Sequence, residues 1–551
     1  MRLSDYNLRQ IDDAYLQSLD LEGLRYLSSQ LLADLHEARE RLDQRPTNSS
    51  RPPSSQAPWE RGDRAIPAHD DEAPVTETEE ASTPTEAASS TEAASSTEAA
   101  PSTEAASSTE AAPPTEAAPP TEAAPPTEAP EGKLARKPGK QPGAPGFGRT
   151  QILPAHHTQA HYPATCAGCG QSLIDVGNAV AYTGFQAIDV RGGEPGILGL
   201  QVDVTDHRYY EVTCSCGHHT RAAPGQGTVD PALTGVTLNE WRLIGPNLGA
   251  LIVALSLRFR MSRPRIQEFL QDWLGIDLSI GTIHQAIHEA GAAVLPAEAE
   301  LIAAVQASGQ LHVDETMWLE GRHTAWLWVF TAATVTLYAI AGRGRAILDT
   351  VLAGFNGWLM SDGWCAYRHF EQRLRCWAHL LRKAQGLIDS YGRETRAFGH
   401  QVLDLLKALM AAVYAAREGP PTDLPTRYAE DLARLRTTCE GLKEHTHAKT
   451  RALAVELLND WDAIFQVLHH PELPLTNNEA ERALRHWVIL RKISHGTRTP
   501  TGSRTLTVLA SVITTCRQRG HSPWPYLRAA IADRRAGCPL APLPTPIVQG
   551  E

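Results

Sequence analysis

"QLHVDET" (residues 310–316) and "GWLMSDGW" (residues 357–364) are apolar runs that each lead into an aspartate, Asp314 or Asp362. Between them, "TAWLWVFTAA" and "VTLYAIA" are rich in aromatic and β-branched residues and predict a β-hairpin. The following "GRAILDTVLAGF" has the pattern of a helix. The sequence therefore predicts the element order strand, strand, strand, helix, strand.

This element order is the opening of a ribonuclease H-like α/β domain. If the fourth strand lies beside the first, a right-handed crossover makes the two strands parallel. Asp314 and Asp362 then lie on neighbouring strand ends, about 4.8 Å apart across the sheet. Carboxylates this close repel each other unless cations neutralise them, so the pair predicts a divalent metal site. The alternative is that each aspartate only ends its strand and caps a turn.

A third carboxylate is expected from the stretch "LPLTNNEAERALRHWVILRK", residues 473–492. Thr476 and Glu479 have the spacing of a capping box, which would commit Glu479 to the start of a helix. Glu481 would then be available to a metal. The competing interpretation makes Asn478 the N-cap and places Glu481 at the third helical position, and the local sequence leaves both open.

The composition predicts a multidomain protein whose acidity is local. The chain has 551 residues and a formal charge of −12, but residues 71–130 hold thirteen Asp and Glu and no Lys or Arg, so the remainder carries +1. No run of about 18 apolar residues is present, and the N-terminus lacks the apolar core of a signal peptide. We therefore expect a soluble cytoplasmic protein without a membrane partner.

The first 150 residues predict three segments. Within residues 1–45, leucines from Leu21 to Leu42 follow heptad spacing, which predicts a short oligomerising coiled coil or, alternatively, an ordinary amphipathic helix. Residues 46–131, rich in Ser, Thr, Pro, Glu and Ala, predict a disordered linker. Residues 132–150 predict a basic Gly/Pro arm that binds a DNA backbone or minor groove, or else a solvated tail. The candidate contacts of this arm are Lys133, Arg136, Lys137 and Lys140.

Two close cysteine pairs predict a zinc-binding ribbon over residues 151–225. Cys166 and Cys169 are followed about 45 residues later by Cys214 and Cys216. Four thiolates around a tetrahedral Zn²⁺ make a structural site with no open position. Because the second pair is tighter than usual, His218 or His219 is an alternative ligand, and incidental free cysteines are the other interpretation.

Residues 240–295 contain three helical patterns, the last two joined through "GIDLS". The second of these two helices opens with Ser279 as a plausible N-cap, which predicts a helix-turn-helix. Its base-facing candidates are Thr282, His284 and Gln285. A plain connector in a helical bundle is the alternative.

The motifs of this chain resemble those of the insertion-sequence-66 transposases. They are "HVDET", "SDGWCAY", "CWAHLLRK" and "TNNEAERALRHWVILRKISHGT", preceded by "RKPGKQPGAPG" and the cysteine pairs and followed by "SPWPYLRAAI". The similarity covers roughly residues 132–535, and its most specific element is the Asn-Asn-x-x-Glu-Arg segment. One departure is Ala144, where the family often has a histidine after "QPG".

The resemblance implies a catalytic domain over residues 305–500, with a helical insertion at about 383–470 and a helical C-terminal segment at 501–551. It makes Asp314, Asp362 and Glu481 the acidic triad, which would hold two Mg²⁺ or Mn²⁺ ions for DNA strand cleavage and strand transfer. The expected partners are the terminal inverted repeats of the element, target DNA, further copies of the chain and accessory transposition proteins.

The region that supplies Glu481 is also basic. Residues 476–535 hold eleven Lys and Arg against three Asp and Glu, and the candidate DNA contacts there are Arg482, Arg485, Arg491 and Lys492. Cys376 and His379 form an incomplete metal pair, for which a core cysteine with a hydrogen-bonded histidine is the preferred interpretation. The rival functions are a catalytically inactive DNA-binding regulator and a metal-dependent nuclease that does not join strands.

Overall fold

The computed structural model describes residues 11, 13–42, 151–174, 177–192, 198–222, 243–420 and 422–547. These residues belong to one compact unit. The predicted linker and the basic arm lie outside the described residues, and so do the four arm residues proposed to contact DNA. Across the described part of the chain, every helix is too short or too polar to cross a bilayer.

A five-stranded sheet forms the centre of the C-terminal half. Its strands are β5 (Gln310–Glu320), β6 (His323–Thr331), β7 (Thr336–Ala341), β8 (Trp358–Ser361) and β9 (Arg373–Arg375), in the spatial order β7-β6-β5-β8-β9. β5, β6 and β7 are antiparallel neighbours, whereas β8 is parallel to both β5 and β9. Helix α7 (Arg345–Val351) makes the crossover between β7 and β8. The predicted element order and the parallel pairing of the first and fourth strands are therefore present.

β5 is longer than the sequence pattern suggested, because it continues six residues beyond Asp314 to Glu320. The prediction that this strand ends at Asp314 was wrong. β6 pairs with β5 over the whole extension, and the hairpin closes at Gly321, whose φ of 62° suits glycine. Trp318 in the extension is buried and donates its indole N–H to Thr497 Oγ1 at 3.0 Å. Burial of this tryptophan favours strand continuation.

A helix covers the edge strand β7. α15 (Pro500–Gln518) presents Ser511 and Thr515, whose hydroxyl oxygens accept hydrogen bonds from the backbone N–H groups of Tyr338 and Thr336 at 2.9 and 3.1 Å. Side chains thus satisfy N–H groups that a further strand would otherwise bond. Helices α14 (Asn478–Ser494) and α16 (Pro523–Ala536) flank α15 in the sequence and complete the C-terminal helical region.

Between β9 and α14, a helical insertion has a hydrophobic core of its own. Its helices are α8 (Trp377–Ile388), α9 (Arg393–Glu418), α10 (Leu424–Arg427), α11 (Ala429–Gly441), α12 (Ala448–Asn459) and α13 (Trp461–Phe465). Buried ion pairs join it to the sheet: Asp460 accepts from Arg373 at 2.8 Å and lies 3.1 Å from the Nε atom of the fully buried Arg375. Desolvation opposes ionisation of Asp460, but Arg373, Arg375 and Arg368 hold its pKa below the usual value.

The remaining described residues form a small sheet and several helices. Strands β1 (His157–His161), β2 (Ala179–Arg191), β3 (Gln201–Thr213) and β4 (His219–Arg221) precede helices α3 (Pro246–Val253), α4 (Arg263–Leu274), α5 (Ile280–Val294) and α6 (Ala297–Gln306). Gly275 ends α4 with a φ of 64°, and the Ser279 hydroxyl accepts from the backbone N–H of Thr282 at 3.0 Å to cap α5. The N-terminal segment contains α1 (Asp13–Ser18) and α2 (Leu21–Leu42).

Candidate active site and metal centres

Asp314 lies in β5, and Asp362 directly follows the last residue of the neighbouring parallel strand β8. His312 pairs with Met360 at the last register position of β5 and β8, so continuing the register by two residues sets Asp314 opposite Asp362. Each carboxylate accepts one local backbone hydrogen bond, from Glu315 N–H at 2.9 Å and from Trp364 N–H at 3.0 Å respectively. Within the described part of the chain, neither carboxylate forms an ion pair with Lys, Arg or His. The two aspartates are therefore near neighbours at this end of the sheet, and the charge of Asp362 acts on Asp314.

Negative charge is concentrated around Asp314. Desolvation, followed by the charges of Asp362, Glu315 and Glu481, raises the pKa of Asp314 well above its usual value. Such a shift means that these surroundings disfavour the ionised carboxylate of Asp314. A cation bound nearby would favour the ionised carboxylate instead. Carboxylate oxygens are the ligands that Mg²⁺ and Mn²⁺ accept, so the donor set fits a hard divalent ion.

Glu315 is a fourth carboxylate that the sequence analysis missed. Its buried side chain lies 2.9 Å from the guanidinium of Arg343 and accepts the Tyr367 hydroxyl at 2.7 Å. Desolvation and the charge of Asp362 still raise the pKa of Glu315 to about 7. Strand alternation sends Glu315 to the face opposite Asp314, and no local pattern identifies its partners, which come from residues 28 and 52 positions away.

Glu481 lies in the first turn of α14 and faces basic groups. Its carboxylate is 4.0 Å from His379 Nε2 and 3.7 Å from Arg382 Nη2. Two groups of described residues have metal-ligand atoms that all lie within 4.8 Å of one another, and the set of Asp314, Asp362 and Glu481 is not one of them. Glu481 is nevertheless near enough for its charge to raise the pKa of Asp314. The third acid is thus adjacent to the aspartate pair without completing it.

The local explanation of Glu479 as a helix cap was wrong. α14 begins at Asn478 with Asn477 as its N-cap residue, so neither Thr476 nor Asn478 occupies the N-cap position. The exposed Glu479 carboxylate instead pairs with Arg482, one turn along the helix. Glu481 remains the candidate ligand, but the capping argument does not select it.

Asn477 ties the start of α14 to the strand that carries Asp314. Its side-chain Nδ2 donates to the carbonyl oxygen of Val313 at 2.8 Å, and its Oδ1 lies 3.2 Å from His312 Nδ1. Its backbone N–H donates to the Cys376 sulfur at 3.2 Å. Asn477 is 1% exposed, so these contacts hold the helix bearing Glu481 against β5 immediately before Asp314. The paired asparagines of the motif were visible in the sequence, but their partners were not.

An open cavity of about 680 Å³ lies beside Asp362 and is lined by both the sheet and the insertion. Its basic lining groups are Arg343, Arg368, Lys383 and Arg451. Three of these groups pair with carboxylates: Arg343 with Glu315, Arg368 with Asp460, and Lys383 with Glu456. The Nη1 atom of Arg451 donates to the carbonyl oxygen of His445 at 2.6 Å. The cavity therefore brings basic groups next to Asp362, and Arg451 is the one of these four that has no carboxylate partner among the described residues.

Some of the predicted DNA contacts in the described region are exposed, and others are engaged in contacts within the fold. Arg482, Arg485 and Lys492 on α14 and His284 on α5 are exposed. Arg491 instead directs its guanidinium into β5, where it donates to Thr316 Oγ1 at 3.0 Å and to the Met317 carbonyl, so its assignment as a DNA contact is corrected to a structural one. Thr282 is half-buried with its hydroxyl bonded to that of Ser279 at 2.8 Å, and Gln285 is also half-buried.

The four predicted zinc ligands come together at one end of the small sheet. Cys166, Cys169, Cys214 and Cys216 have sulfur atoms that all lie within 4.8 Å of one another. The Cys166–Cys216 and Cys169–Cys214 sulfur distances are 3.7 and 3.6 Å. Four sulfurs held about 2.3 Å from a tetrahedral Zn²⁺ would be about 3.8 Å apart, so the geometry fits. A hydrogen bond from the backbone N–H of Cys169 contributes most to lowering the pKa of Cys166 to about 6.

A second group of three possible ligands joins Cys376, His379 and Glu481. The sequence interpretation of Cys376 as a core residue agrees with its complete burial. The expectation that His379 is hydrogen-bonded does not hold for Nδ1, which is buried and lacks a hydrogen-bond partner among the described residues. Desolvation and the charges of Arg382, Lys383 and Arg375 lower the pKa of His379 to about 3.

Comparison with known proteins gives a match over residues 242–505 to the family described as "Transposase IS66 family". Three proteins of Sinorhizobium fredii (strain NBRC 101917 / NGR234) are similar. Uncharacterized protein y4jO is 30% identical over 39% of this chain and 65% of its own length. Uncharacterized protein y4qI is 25% identical over 39% of this chain and 45% of its own length. Uncharacterized protein y4hP is 27% identical over 52% of this chain and 59% of its own length. The chain thus spans less than two thirds of each relative.

Proposed function

We propose that this chain is a DNA transposase that binds the ends of its element and catalyses strand cleavage and strand transfer, because residues 242–505 match the family described as "Transposase IS66 family". The observation that supports the proposal is the parallel pairing of β5 and β8, whose register ends at His312 and Met360, two residues before Asp314 and Asp362. Among the described residues, no basic side chain forms an ion pair with either aspartate. A ribonuclease H-like catalytic domain with a helical insertion is the architecture that we propose for this arrangement.

We propose Asp314, Asp362 and Glu481 as ligands of Mg²⁺ or Mn²⁺. Two divalent ions at such a site would activate the attacking oxygen and stabilise the oxygen that leaves phosphorus. In cleavage, a water oxygen bonds to phosphorus while the bond to the 3′ oxygen breaks and the 3′-hydroxyl takes up the proton. In joining, that hydroxyl attacks a target phosphodiester and displaces its 3′ oxygen.

The protein's own groups would position the DNA. The basic lining of the cavity beside Asp362 is placed to hold phosphates next to the aspartates, and Arg451 is the cation there without a carboxylate partner among the described residues. Arg482 and Arg485 extend the positive surface along exposed positions of α14. The side chain of Glu481 lies 3.7 Å from that of Arg382 in this structure. It has to rotate away from Arg382 to bind a metal ion together with Asp314 and Asp362.

The N-terminal modules support recognition of DNA. We propose that α4 and α5 act as a helix-turn-helix with His284 on its exposed surface, and that the basic arm binds the adjacent backbone. Leu21, Leu24, Leu31 and Leu35 are exposed on α2, which supports pairing of this helix with a second copy of the chain. Joining two element ends requires either two active sites or one active site that acts on the two ends one after the other. A homo-oligomer provides two active sites.

The proposed function is tested with duplex DNA that carries the sequences flanking the gene of this protein. Purified full-length chain with Mg²⁺ should nick or cut this DNA at discrete positions, and should join the new 3′ ends to a supercoiled target plasmid. The same reaction in EDTA should retain binding and lose both products. Binding without cleavage in Mg²⁺ would support the regulator instead, and cleaved ends that never appear in the plasmid would support a nuclease.

For the cysteine cluster we propose one structural Zn²⁺ bound by Cys166, Cys169, Cys214 and Cys216. Elemental analysis of protein dialysed against a weak chelator should find about one zinc per chain, since four thiolates retain the ion strongly. Cys166→Ser should lose this zinc and weaken DNA binding, whereas Cys538→Ser, which changes an exposed cysteine outside the cluster, should retain it. Equal zinc content in the two variants would contradict the assignment.

A further inference from the structure

Cys376, His379 and Glu481 bring three different donor atoms together beside the aspartate pair. Cys376 precedes α8 as its N-cap residue, His379 lies in the first turn of α8, and Glu481 lies in the first turn of α14. Their sulfur, nitrogen and oxygen donor atoms all lie within 4.8 Å of one another. A Cys-x-x-His spacing at a helix start places both side chains near one another, and α14 supplies the third donor from a separate part of the chain.

The fold positions the Cys376 sulfur through a hydrogen bond and leaves one ring nitrogen of His379 without a partner among the described residues. The backbone N–H of Asn477 donates to the Cys376 sulfur at 3.2 Å, and this thiol is fully buried. His379 Nδ1 is buried without a hydrogen-bond partner among the described residues. A buried ring nitrogen without a partner is uncommon, because leaving a polar group unsatisfied costs free energy. The nitrogen that faces Glu481 is the other one, Nε2, which lies 4.0 Å from the carboxylate.

His379 of this cluster is accessible from the proposed active site. His379 and Asp362 line the same open cavity of about 680 Å³, so an ion that can reach Asp362 can reach His379. Glu481 is 39% exposed at its side chain. The basic groups nearby, led by Arg382 at 3.7 Å from Glu481, oppose a cation, and the carboxylate and a thiolate together would offset that opposition.

We propose that Cys376, His379 and Glu481 form a binding site for a thiophilic transition-metal ion such as Zn²⁺, and that an ion bound there takes Glu481 away from Asp314 and Asp362. Thiolate and imidazole ligands select Zn²⁺ and Co²⁺ over Mg²⁺, which prefers oxygen. The binding site stands by itself, whereas its inhibitory effect rests on the proposed function, in which Glu481 completes the acidic set. Zn²⁺ and Mg²⁺ would then compete for one carboxylate.

Binding is tested by adding Co²⁺ to full-length protein whose four-cysteine cluster already holds zinc. The wild type should develop a near-ultraviolet band from cobalt bound to thiolate. Cys376→Ser should lose this band while still offering an acceptor to Asn477, and His379→Gln should weaken Co²⁺ binding about tenfold or more. Cys538→Ser should match the wild type. A band of equal size and affinity in the wild type and both cluster variants, each folded by circular dichroism, would overturn the site.

Inhibition is tested by adding Zn²⁺ to the Mg²⁺-dependent cleavage reaction. Cleavage by the wild type should fall as Zn²⁺ is added, and His379→Gln should need about tenfold more Zn²⁺ for the same loss. Equal sensitivity of the two proteins would refute the competition for Glu481 even if cobalt binds. If no cleavage occurs under any condition, the transposase proposal fails, while the cobalt measurement still decides whether the site exists.

Discussion

Asp314→Asn is expected to abolish DNA cleavage and at the same time to stabilise the metal-free fold. The substitution keeps the shape of the side chain but removes a negative charge from the proposed metal ligands. We expect cleavage to fall at least about 1,000-fold, which corresponds to about 4 kcal/mol of transition-state stabilisation. DNA binding, measured without divalent metal, should remain within about threefold of the wild type because the basic surfaces are unchanged.

The expected stabilisation follows from the direction of the pKa shift. The pKa of Asp314 is raised in the fold by desolvation and by the charges of Asp362, Glu315 and Glu481. A carboxyl group with a raised pKa contributes stability below its unfolded-state pKa and loses that contribution as the pH rises through the folded value. At a pH above the unfolded-state pKa, Asp314 therefore lowers the stability of the metal-free protein, and asparagine removes this cost. Thermal unfolding in EDTA should show a higher Tm for the variant.

Glu315 gives the same measurement a defined pH window. Its pKa rises from 4.5 to about 7 in the fold, so metal-free stability should decline between about pH 4.5 and pH 7. Asp314→Asn should make the total decline shallower, because the raised pKa of Asp314 no longer contributes to it. Asp349→Asn is the matched control: Asp349 is an exposed residue on α7 that pairs with Arg345, and its loss should leave both cleavage and Tm nearly unchanged. Cleavage of DNA by the Asp314→Asn variant at the wild-type rate would contradict the proposed metal site.

The sequence allowed the central sheet and the aspartate pair to be predicted because both depend on strong local patterns. Aromatic and β-branched runs identify the strands, and the right-handed crossover then makes β5 and β8 parallel without further information. The same reasoning failed at the end of β5, where the pairing of Thr316–Glu320 with β6 outweighed the expected stop at Asp314. Strand β9 has only three residues and was missed for lack of a pattern.

The surroundings of the acidic site could not be predicted because they depend on contacts between distant parts of the chain. Asn477 bonds to Val313, 164 positions earlier in the sequence, and Arg343 pairs with Glu315 across 28 positions. Arg491 was predicted to contact DNA because it belongs to a basic segment, but charge alone does not show that its guanidinium lies against β5. Sequence patterns identify types of side chain, whereas tertiary contacts decide which of them remain available to a ligand.

Glu481→Gln is expected to remove cleavage and joining, whereas Glu479→Gln is expected to retain both. The two glutamates are two residues apart in the first turn of α14, so they share the same helix and the same charge. Glu479 is exposed and pairs only with Arg482 in the described structure, a surface interaction worth a few tenths of a kcal/mol. Glu481 lies on the side of His379 and Arg382 and contributes to the electrostatic field at Asp314.

The pair of variants separates chemistry from damage to the helix. If losing one acid from this turn merely destabilised α14, Glu479→Gln and Glu481→Gln would reduce cleavage and Tm together. A metal-ligand role instead predicts that the cleavage rate falls at least about 100-fold in Glu481→Gln alone, which corresponds to about 2.7 kcal/mol of transition-state stabilisation. Binding of the element ends should be retained in both variants. Cleavage that survives in Glu481→Gln but disappears in Glu479→Gln would exchange their roles. Glu481→Gln should also weaken the Co²⁺ band, since the same carboxylate belongs to the Cys376 and His379 cluster.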